Sequence, residues 1–318
     1  MNKILLVGAG PMAIDYAKIL TALNMNVIAV GRGKTSAESF KVASGIPVYT
    51  GGIESWLMQN KEVPDKAVVA VCEMALGKVA LLLLEHGIKS LLVEKPGAAN
   101  AAEAGQVLRQ AIEKDSRVYV AYNRRFYSSV RKAREIIDSD GGVTSFNFEF
   151  TEWSHVIKDL PKEEGVKEQW FLHNSTHVMD LAFYLGGRPR EISCYTAGGL
   201  NWHPSGSIYS GAGITEKGAL FSYQANWESP GRWGVEVLTK KHRLILRPLE
   251  RLHIQNIGSV AVEEVSLADD LDKKFKPGLY LQVQAFIEGK TTNLPDIQEQ
   301  SINLHYYQMI GGKKPEAC

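Results

Sequence analysis

The chain has 318 residues, 45% hydrophobic and 22% charged, which is ample for sizeable cores in two domains and excludes wholesale disorder. Lys and Arg number 36 against 35 for Asp and Glu, so the charge balance gives no reason to expect nucleic acid or an acidic membrane as partner. The greasiest stretch, residues 79–84, stops at Glu85 and His86, far short of a membrane-spanning helix.

The N-terminal part alternates compact apolar runs with longer helical patterns. Strands are expected at residues 3–7, 26–30, 67–71, 90–93 and 117–121, each reading as a strand buried on both faces of a parallel sheet. Helices are expected at 12–23, 36–44, 74–86 and 101–114; in the last two, Leu, Val and Ala recur three and four residues apart. Gly87 reads as a helix C-cap and Asn100 as an N-cap. This order implies right-handed βαβ units and a doubly wound sheet.

After a further helix at 126–138, Gly141-Gly142 marks a change of style. Residues 143–153 alternate Phe146, Phe148 and Phe150 with polar neighbours, as a half-buried strand does. More strands are expected at 191–195, 218–227, 234–238, 243–246 and 251–255, forming one largely antiparallel sheet. Helices at 168–185 and 278–288 interrupt it, and 296–309 forms the last, with Asp296 as a first-turn acid. The fold class is α/β: a Rossmann domain over residues 1–124, then an α+β domain with an open, mostly antiparallel sheet over 125–318. The last helix is placed to pack back on the Rossmann domain. The three cysteines, Cys72, Cys194 and Cys318, fit no CxxC pattern and are odd in number, so reduced thiols are expected. Met1-Asn2-Lys3 runs directly into a strand with no signal-peptide pattern, so a cytoplasmic location is expected.

Gly8-Ala9-Gly10-Pro11-Met12-Ala13 follows the first strand and opens the first helix, matching the GxGxxA form of the dinucleotide fingerprint. Gly8 permits the tight turn and Gly10 lets backbone approach a pyrophosphate. Pro11 forgoes only a free N–H, and Ala13 lets the helix pack closely on the strand. An NAD enzyme usually has Asp or Glu at the end of the second strand. Here Val30 is followed by Gly31-Arg32-Gly33-Lys34-Thr35-Ser36, with no acid before Glu38. Arg32 can stack on adenine and pair with a 2′-phosphate, with Lys34 and Ser36 as further donors, so NADP is favoured and NAD stays compatible.

Glu94-Lys95-Pro96 follows the fourth predicted strand and Tyr122-Asn123-Arg124-Arg125-Phe126 the fifth. With the N-terminal GAGPMA, these resemble the glucose-fructose oxidoreductase, inositol dehydrogenase and rhizopine catabolism family (Gfo/Idh/MocA). Lys95 stands where α/β sheets place their ligands, and its ammonium can polarise a carbonyl or stabilise an alkoxide. The resemblance implies that Lys95 contacts substrate and helps proton transfer. It also implies that His177, in His173-Asn174-Ser175-Thr176-His177-Val178-Met179-Asp180, is the general acid/base and Asp180 the later acid of an Asp-x-x-x-His-x-x-Asp pattern. His173 stands where the family generally has Asp, and an imidazole there would not raise the partner's pKa as a carboxylate would. On one continuous α-helix, His173, His177 and Asp180 share a face.

Asn174 and Arg124 join Lys95 and His177 as substrate-binding candidates. Glu94, Lys95, Asn123 and Cys72 join the glycine turn and the basic loop as cofactor-binding ones. Cys72-Glu73-Met74 departs from the Thr-Pro common in the family, and Cys72 also reads as a small packing residue. The two histidines have metal-ligand spacing, but the Glu of HExxH and a third ligand are missing, so no metal is expected. Core histidines satisfied by hydrogen bonds are the other bland reading. Trp153, His155, Trp170, Trp202 and Arg232 are scattered, and none is singled out. The expected activity is NADP(H)-dependent hydride transfer to or from the hydroxyl or keto carbon of a sugar, sugar nucleotide or cyclic polyol. The expected assembly is a homodimer or homotetramer. A non-catalytic dinucleotide-sensing regulator of the same fold, or a biliverdin-reductase-like reductase of a non-sugar substrate, fits the same motifs.

Overall fold

The computed structural model describes residues 3–312; Met1, Asn2 and Cys318, which entered the sequence reading, lie outside them. The chain divides into two compact units, one of Met1–Asn123 with Leu271–Ile302 and one of Arg124–Asp270 with Asn303–Cys318.

The first unit is built on six parallel strands: β1 (Lys3–Val7), β2 (Asn26–Val30), β3 (Val48–Tyr49), β4 (Lys66–Val69), β5 (Ser90–Glu94) and β6 (Arg117–Ala121). Their order is β3-β2-β1-β4-β5-β6, the doubly wound Rossmann arrangement, which reverses direction beside β1. Burial explains why these runs are strands: Ile4, Leu5, Leu6, Leu91, Leu92 and Val93 have no exposed surface, because crossover helices cover both faces. The helices are α1 (Pro11–Ala22), α2 (Lys34–Ser44), α3 (Gly52–Gln59), α4 (Leu76–Glu85) and α5 (Ala101–Glu113). Asn100 caps α5 as expected, accepting the Glu103 amide at 3.0 Å, while the Glu103 carboxylate accepts the Ala99 amide at 2.7 Å. Gly87 closes α4: its amide and that of Ile88 donate back to the Leu84 and Leu83 carbonyls.

Some boundaries differ from the sequence reading. β4 stops at Val69, and the helix expected from residue 74 begins as a 3₁₀ turn, Glu73–Ala75. The short β3 and α3 carry too little periodicity to be read from sequence.

The second unit holds eight strands: β7 (Ser145–Glu149), β8 (Pro189–Ala197), β9 (Ile208–Thr215), β10 (Leu220–Asn226), β11 (Gly234–Leu238), β12 (His242–Leu246), β13 (His253–Asn256) and β14 (Glu263–Glu264). They run in the order β14-β13-β12-β11-β7-β10-β9-β8, antiparallel throughout except for the β7–β10 pair. Phe146 stacks on Phe221 at 5.2 Å and Phe148 on Tyr223 at 5.4 Å, so aromatic cross-strand pairs pin that parallel register. The helices of this unit include α6 (Ser128–Ser139), the one-turn α7 (Ser154–Ile157) and α8 (Thr176–Gly186). Phe183 of α8 meets Phe146 and Phe148 edge-on. Strand β9 escapes the sequence reading because Gly211 and Gly213 weaken strand propensity. A Cβ at either would strike a neighbouring backbone oxygen and the ring of Tyr223 or Phe221.

The helix expected over 126–138 is preceded by a 3₁₀ turn, Asn123–Phe126, and α6 starts at Ser128. The helix expected over 168–185 begins later, as a π turn over Phe171–Ser175, and regular α-helix runs from Thr176 to Gly186. His173 therefore lies within the π turn, with His177 and Asp180 on the α-helix that follows it. Two last helices, α10 (Leu279–Glu288) and α11 (Ile297–Ile310), follow a short α9 (Asp270–Lys274). Asp296 turns out to cap α11, accepting the Glu299 amide at 2.7 Å. Among the described residues no helix is long and apolar enough to cross a membrane.

Candidate dinucleotide and substrate site

The turn after β1 is shaped by its neighbours. Gly8 has φ +130° and donates its amide to Val30 at 2.8 Å, and a Cβ there would overlap the Ala70 carbonyl oxygen. Gly10 is different: a Cβ built on it meets nothing within 4 Å. The space above it is open, so packing does not require a glycine there. No side chain caps α1, Pro11 occupies its first turn, and Ala13 is fully buried against the sheet. Free helix N-terminal amides beside an open glycine make a cradle for a pyrophosphate.

Lys276, from the segment that returns to this unit, was not found from the sequence. Its ammonium lies 2.8 Å from Met12 Sδ and 3.8 Å from Asp15, which brings a positive charge to the first turns of α1. No local motif signals it, because it is distant in sequence. At the end of β2, Arg32, Lys34 and Ser36 are all exposed, and Ser36 bonds the Gly33 carbonyl at 3.1 Å. Helix α2 has no acid in its first turn.

Glu94 ends β5 and accepts the Tyr16 hydroxyl at 2.6 Å. Burial pushes the Glu94 carboxyl up, opposed by that hydrogen bond and by the charges of Lys95 and Lys276; burial and Glu94 together push the Tyr16 phenol up. Lys95 follows at the strand's carboxyl end, half-buried, and its peptide to Pro96 is cis. The Pro96 carbonyl accepts from the buried Gln300 amide at 2.9 Å, which also donates to the Tyr122 hydroxyl at 3.1 Å. The backbone beneath Lys95 is thus anchored from α11. Asn123 spends its side-chain amide on the Pro277 carbonyl at 2.9 Å, so it braces the chain locally. Cys72 is half-buried and starts the 3₁₀ turn after β4.

In the second unit, His173 and His177 are buried, at 2% and 7% exposure. Asn174 and Ser175, from the π turn, donate to the same oxygen of Glu152 at 3.0 and 2.8 Å. Glu152 is 2% exposed, and burial pushes its carboxyl up, opposed by Ser175, Arg232 and Asn174. Sequence reasoning passed over Glu152; the signal was an acid directly after an alternating apolar strand. Trp233, also missed, has its ring 6.1 Å from that of His177. Asp180, expected as an acid of the site, is fully buried and bound by both ends of Arg125, at 2.9 Å (Nε) and 2.6 Å (Nη2). That bidentate pair secures α8 to the turn before α6. Among the described residues no group of three or more His, Cys, Asp or Glu is arranged to hold a metal.

Residues 2–122 match the family model described as an oxidoreductase family with an NAD-binding Rossmann fold, Gfo/Idh/MocA. The match spans the N-terminal Rossmann domain of the chain. YteT of Bacillus subtilis (strain 168), itself only provisionally assigned as an oxidoreductase, is 29% identical over 120 residues. That match spans 36% of this chain and 28% of YteT. Levoglucosan dehydrogenase, solved with NADH and levoglucosan, has TM-score 0.77 at 17% identity, covering 97% of this chain and 95% of that one. UDP-N-acetylglucosamine 3-dehydrogenase from Acidithiobacillus ferrooxidans has TM-score 0.75 at 14% identity, over 97% and 96%. An Agrobacterium radiobacter oxidoreductase, solved with NAD+, L-tartaric acid and magnesium, has TM-score 0.78 at 12% identity, over 96% and 94%. These likenesses show that the chain shares the fold of these oxidoreductases over nearly its whole length.

Proposed function

We propose that the protein is an NADP(H)-dependent oxidoreductase acting on the hydroxyl or keto carbon of a sugar, sugar nucleotide or cyclic polyol. The observation that carries this reading is the turn at Gly8 and Gly10. One glycine is required by the fold, while the other faces open space at an uncapped helix N-terminus. A nicotinamide dinucleotide held there supplies the acceptor or donor of hydride. The backbone at Gly10, Met12 and Ala13 binds its pyrophosphate, with the Lys276 ammonium adding charge. Arg32, Lys34 and Ser36 favour a 2′-phosphate, because no carboxylate stands at the end of β2 to repel it. Cys72, Glu94 and Asn123 complete the cofactor's surroundings, Glu94 and Asn123 through the backbone they brace.

Lys95 stabilises alkoxide character on the substrate oxygen with its ammonium, and the His177 imidazole takes or returns the hydroxyl proton. His173, Asn174 and Arg124 position His177 and the substrate. Copies of the chain pair through the outward face of β8–β10, where Tyr195 is 72% and Leu220 61% exposed. The deciding experiment is Lys95→Ala. Turnover of NADP with a panel of sugars, sugar nucleotides and cyclic polyols should fall at least about 10²-fold, while NADPH affinity stays within about threefold of the parent. Retained turnover refutes the role of Lys95. Cofactor binding by the parent protein with no turnover on any member of the panel refutes the dehydrogenase reading in favour of a dinucleotide sensor.

A further inference from the structure

The second unit contains a corner with more guanidinium than carboxylate. Cζ of Arg124 lies 4.7 Å and Cζ of Arg232 4.6 Å from the Trp233 ring centroid, so one indole carries two cations. Arg232 also lies 4.8 Å from the Trp153 ring, which is held in place by its N–H bond to the Gly231 carbonyl at 3.0 Å. The opposing charge is slight. Glu152 is 3.6 Å from Arg232, commits one oxygen to Asn174 and Ser175, and is pushed by burial toward its neutral form.

Arg124 has no ion pair among the described residues, and its buried Nε has no hydrogen-bond partner. The same holds for the indole N–H of Trp233, a residue only 6% exposed. Burial lowers the Arg124 pKa; Tyr127, Glu250 and Glu152 oppose this from a distance, and Arg232 adds like-charge repulsion. Two buried donors without acceptors, beside two cations weakly opposed by Glu152 and Glu250, are costly unless something supplies both oxygen and negative charge. A neutral sugar hydroxyl meets the first need only. An oxyanion meets both, and the guanidinium fork matches the paired oxygens of a carboxylate or a phosphoryl group.

We infer that the substrate carries an oxyanion, a carboxylate or a phosphoryl group, that docks on Arg124 and Arg232 against Trp233. The inference rests on the dehydrogenase reading for calling this ligand a substrate, but not for the anion site itself. With the His177 ring 6.1 Å from Trp233, the corner adjoins the proposed acid/base.

The test compares neutral sugars with their acidic counterparts: D-glucose and D-galactose against their uronates, aldonates and 6-phosphates. Binding is read by tryptophan fluorescence and calorimetry, and turnover by NADPH absorbance. At least one acidic probe should bind ten times or more tighter than its neutral parent, the preference shrinking as salt rises. Arg232→Gln, a change in a side chain that is 45% exposed, should weaken the acidic probe about 30-fold and its neutral parent much less. Arg232→Lys should recover part of the loss. Uronates or aldonates binding best identifies a carboxylate, and the 6-phosphates a phosphoryl group. If no acidic probe outbinds its parent, or if Arg232→Gln leaves the ratio unchanged, the anion site is refuted. Acid-selective binding without turnover supports the site while refuting the dehydrogenase; turnover with no acid preference does the reverse.

Discussion

Asp180→Asn should destabilise the second unit severely while changing a side chain that is fully buried. The carboxylate takes two charge-assisted bonds from Arg125, at 2.9 and 2.6 Å, and Arg125 is only 4% exposed, its guanidinium 4.8 Å from the Tyr184 ring. Asparagine keeps one acceptor oxygen but leaves the guanidinium without its counter-charge in a low-dielectric place. Removing one partner of such a pair costs about 3–5 kcal/mol. With a urea slope of about 2 kcal/mol per molar, the midpoint should fall by about 2 M. Tryptophan fluorescence suits the assay, because five of the six tryptophans (Trp153, Trp170, Trp202, Trp227 and Trp233) belong to this unit. The double variant Arg125→Met with Asp180→Leu should regain most of the loss, since both charges then leave together. A fall of less than about 1 kcal/mol in the single variant would mean that the pair is screened like a surface bridge, and the reasoning would fail.

The two glycines of the turn should separate cleanly. Gly8→Ala, with φ +130° and an overlap with Ala70, should cost about 2 kcal/mol or more in a urea titration. Gly10→Ala should unfold with the parent's midpoint yet bind NADPH about tenfold or more weakly; equal affinity would remove the phosphate cradle. Arg32→Asp should raise the NADPH Kd about 100-fold and favour NADH, an expectation that fails if the ratio of the two affinities does not move. Asp140 accepts from His242 at 2.6 Å and Thr239 at 2.7 Å; burial alone would raise its carboxyl, but these bonds and the charges of His242 and Lys241 hold it below the usual range. A depressed folded value means stability present above about pH 4 and lost as pH falls through that folded value. Asp140→Asn should therefore be less stable than the parent at pH 6 and converge with it in strong acid, and parallel stability curves would contradict this.

Much of the first unit was legible because its strands are short apolar runs buried on both faces, a pattern that depends on local composition. β1, β2 and β6 coincide with the expected segments, and Asn100 caps α5 through a bond three residues away. Legibility failed where local cues conflict or vanish: β9 hides behind Gly211 and Gly213, whose missing side chains make room for Phe221 and Tyr223 from β10. The π turn at Phe171–Ser175 likewise has no periodic signature.

Gly8, Gly10, Arg32 and Lys95 could be picked out from the sequence because each stands at or just after the end of a strand, and strand ends are set by short-range pattern. Lys276 at the first turns of α1, Glu152 beneath Asn174 and Ser175, and the two arginines on Trp233 required tertiary structure. Those groups are brought together by chain closure over tens to hundreds of residues, and their consequences come from burial, which removes water and leaves charge and unused donors to be satisfied by whatever is near. Residue type and spacing carry no measure of how deeply a polar side chain is buried. That is why Asp180 reads in sequence only as the later acid of a motif and, in the fold, is the buried counter-charge of Arg125.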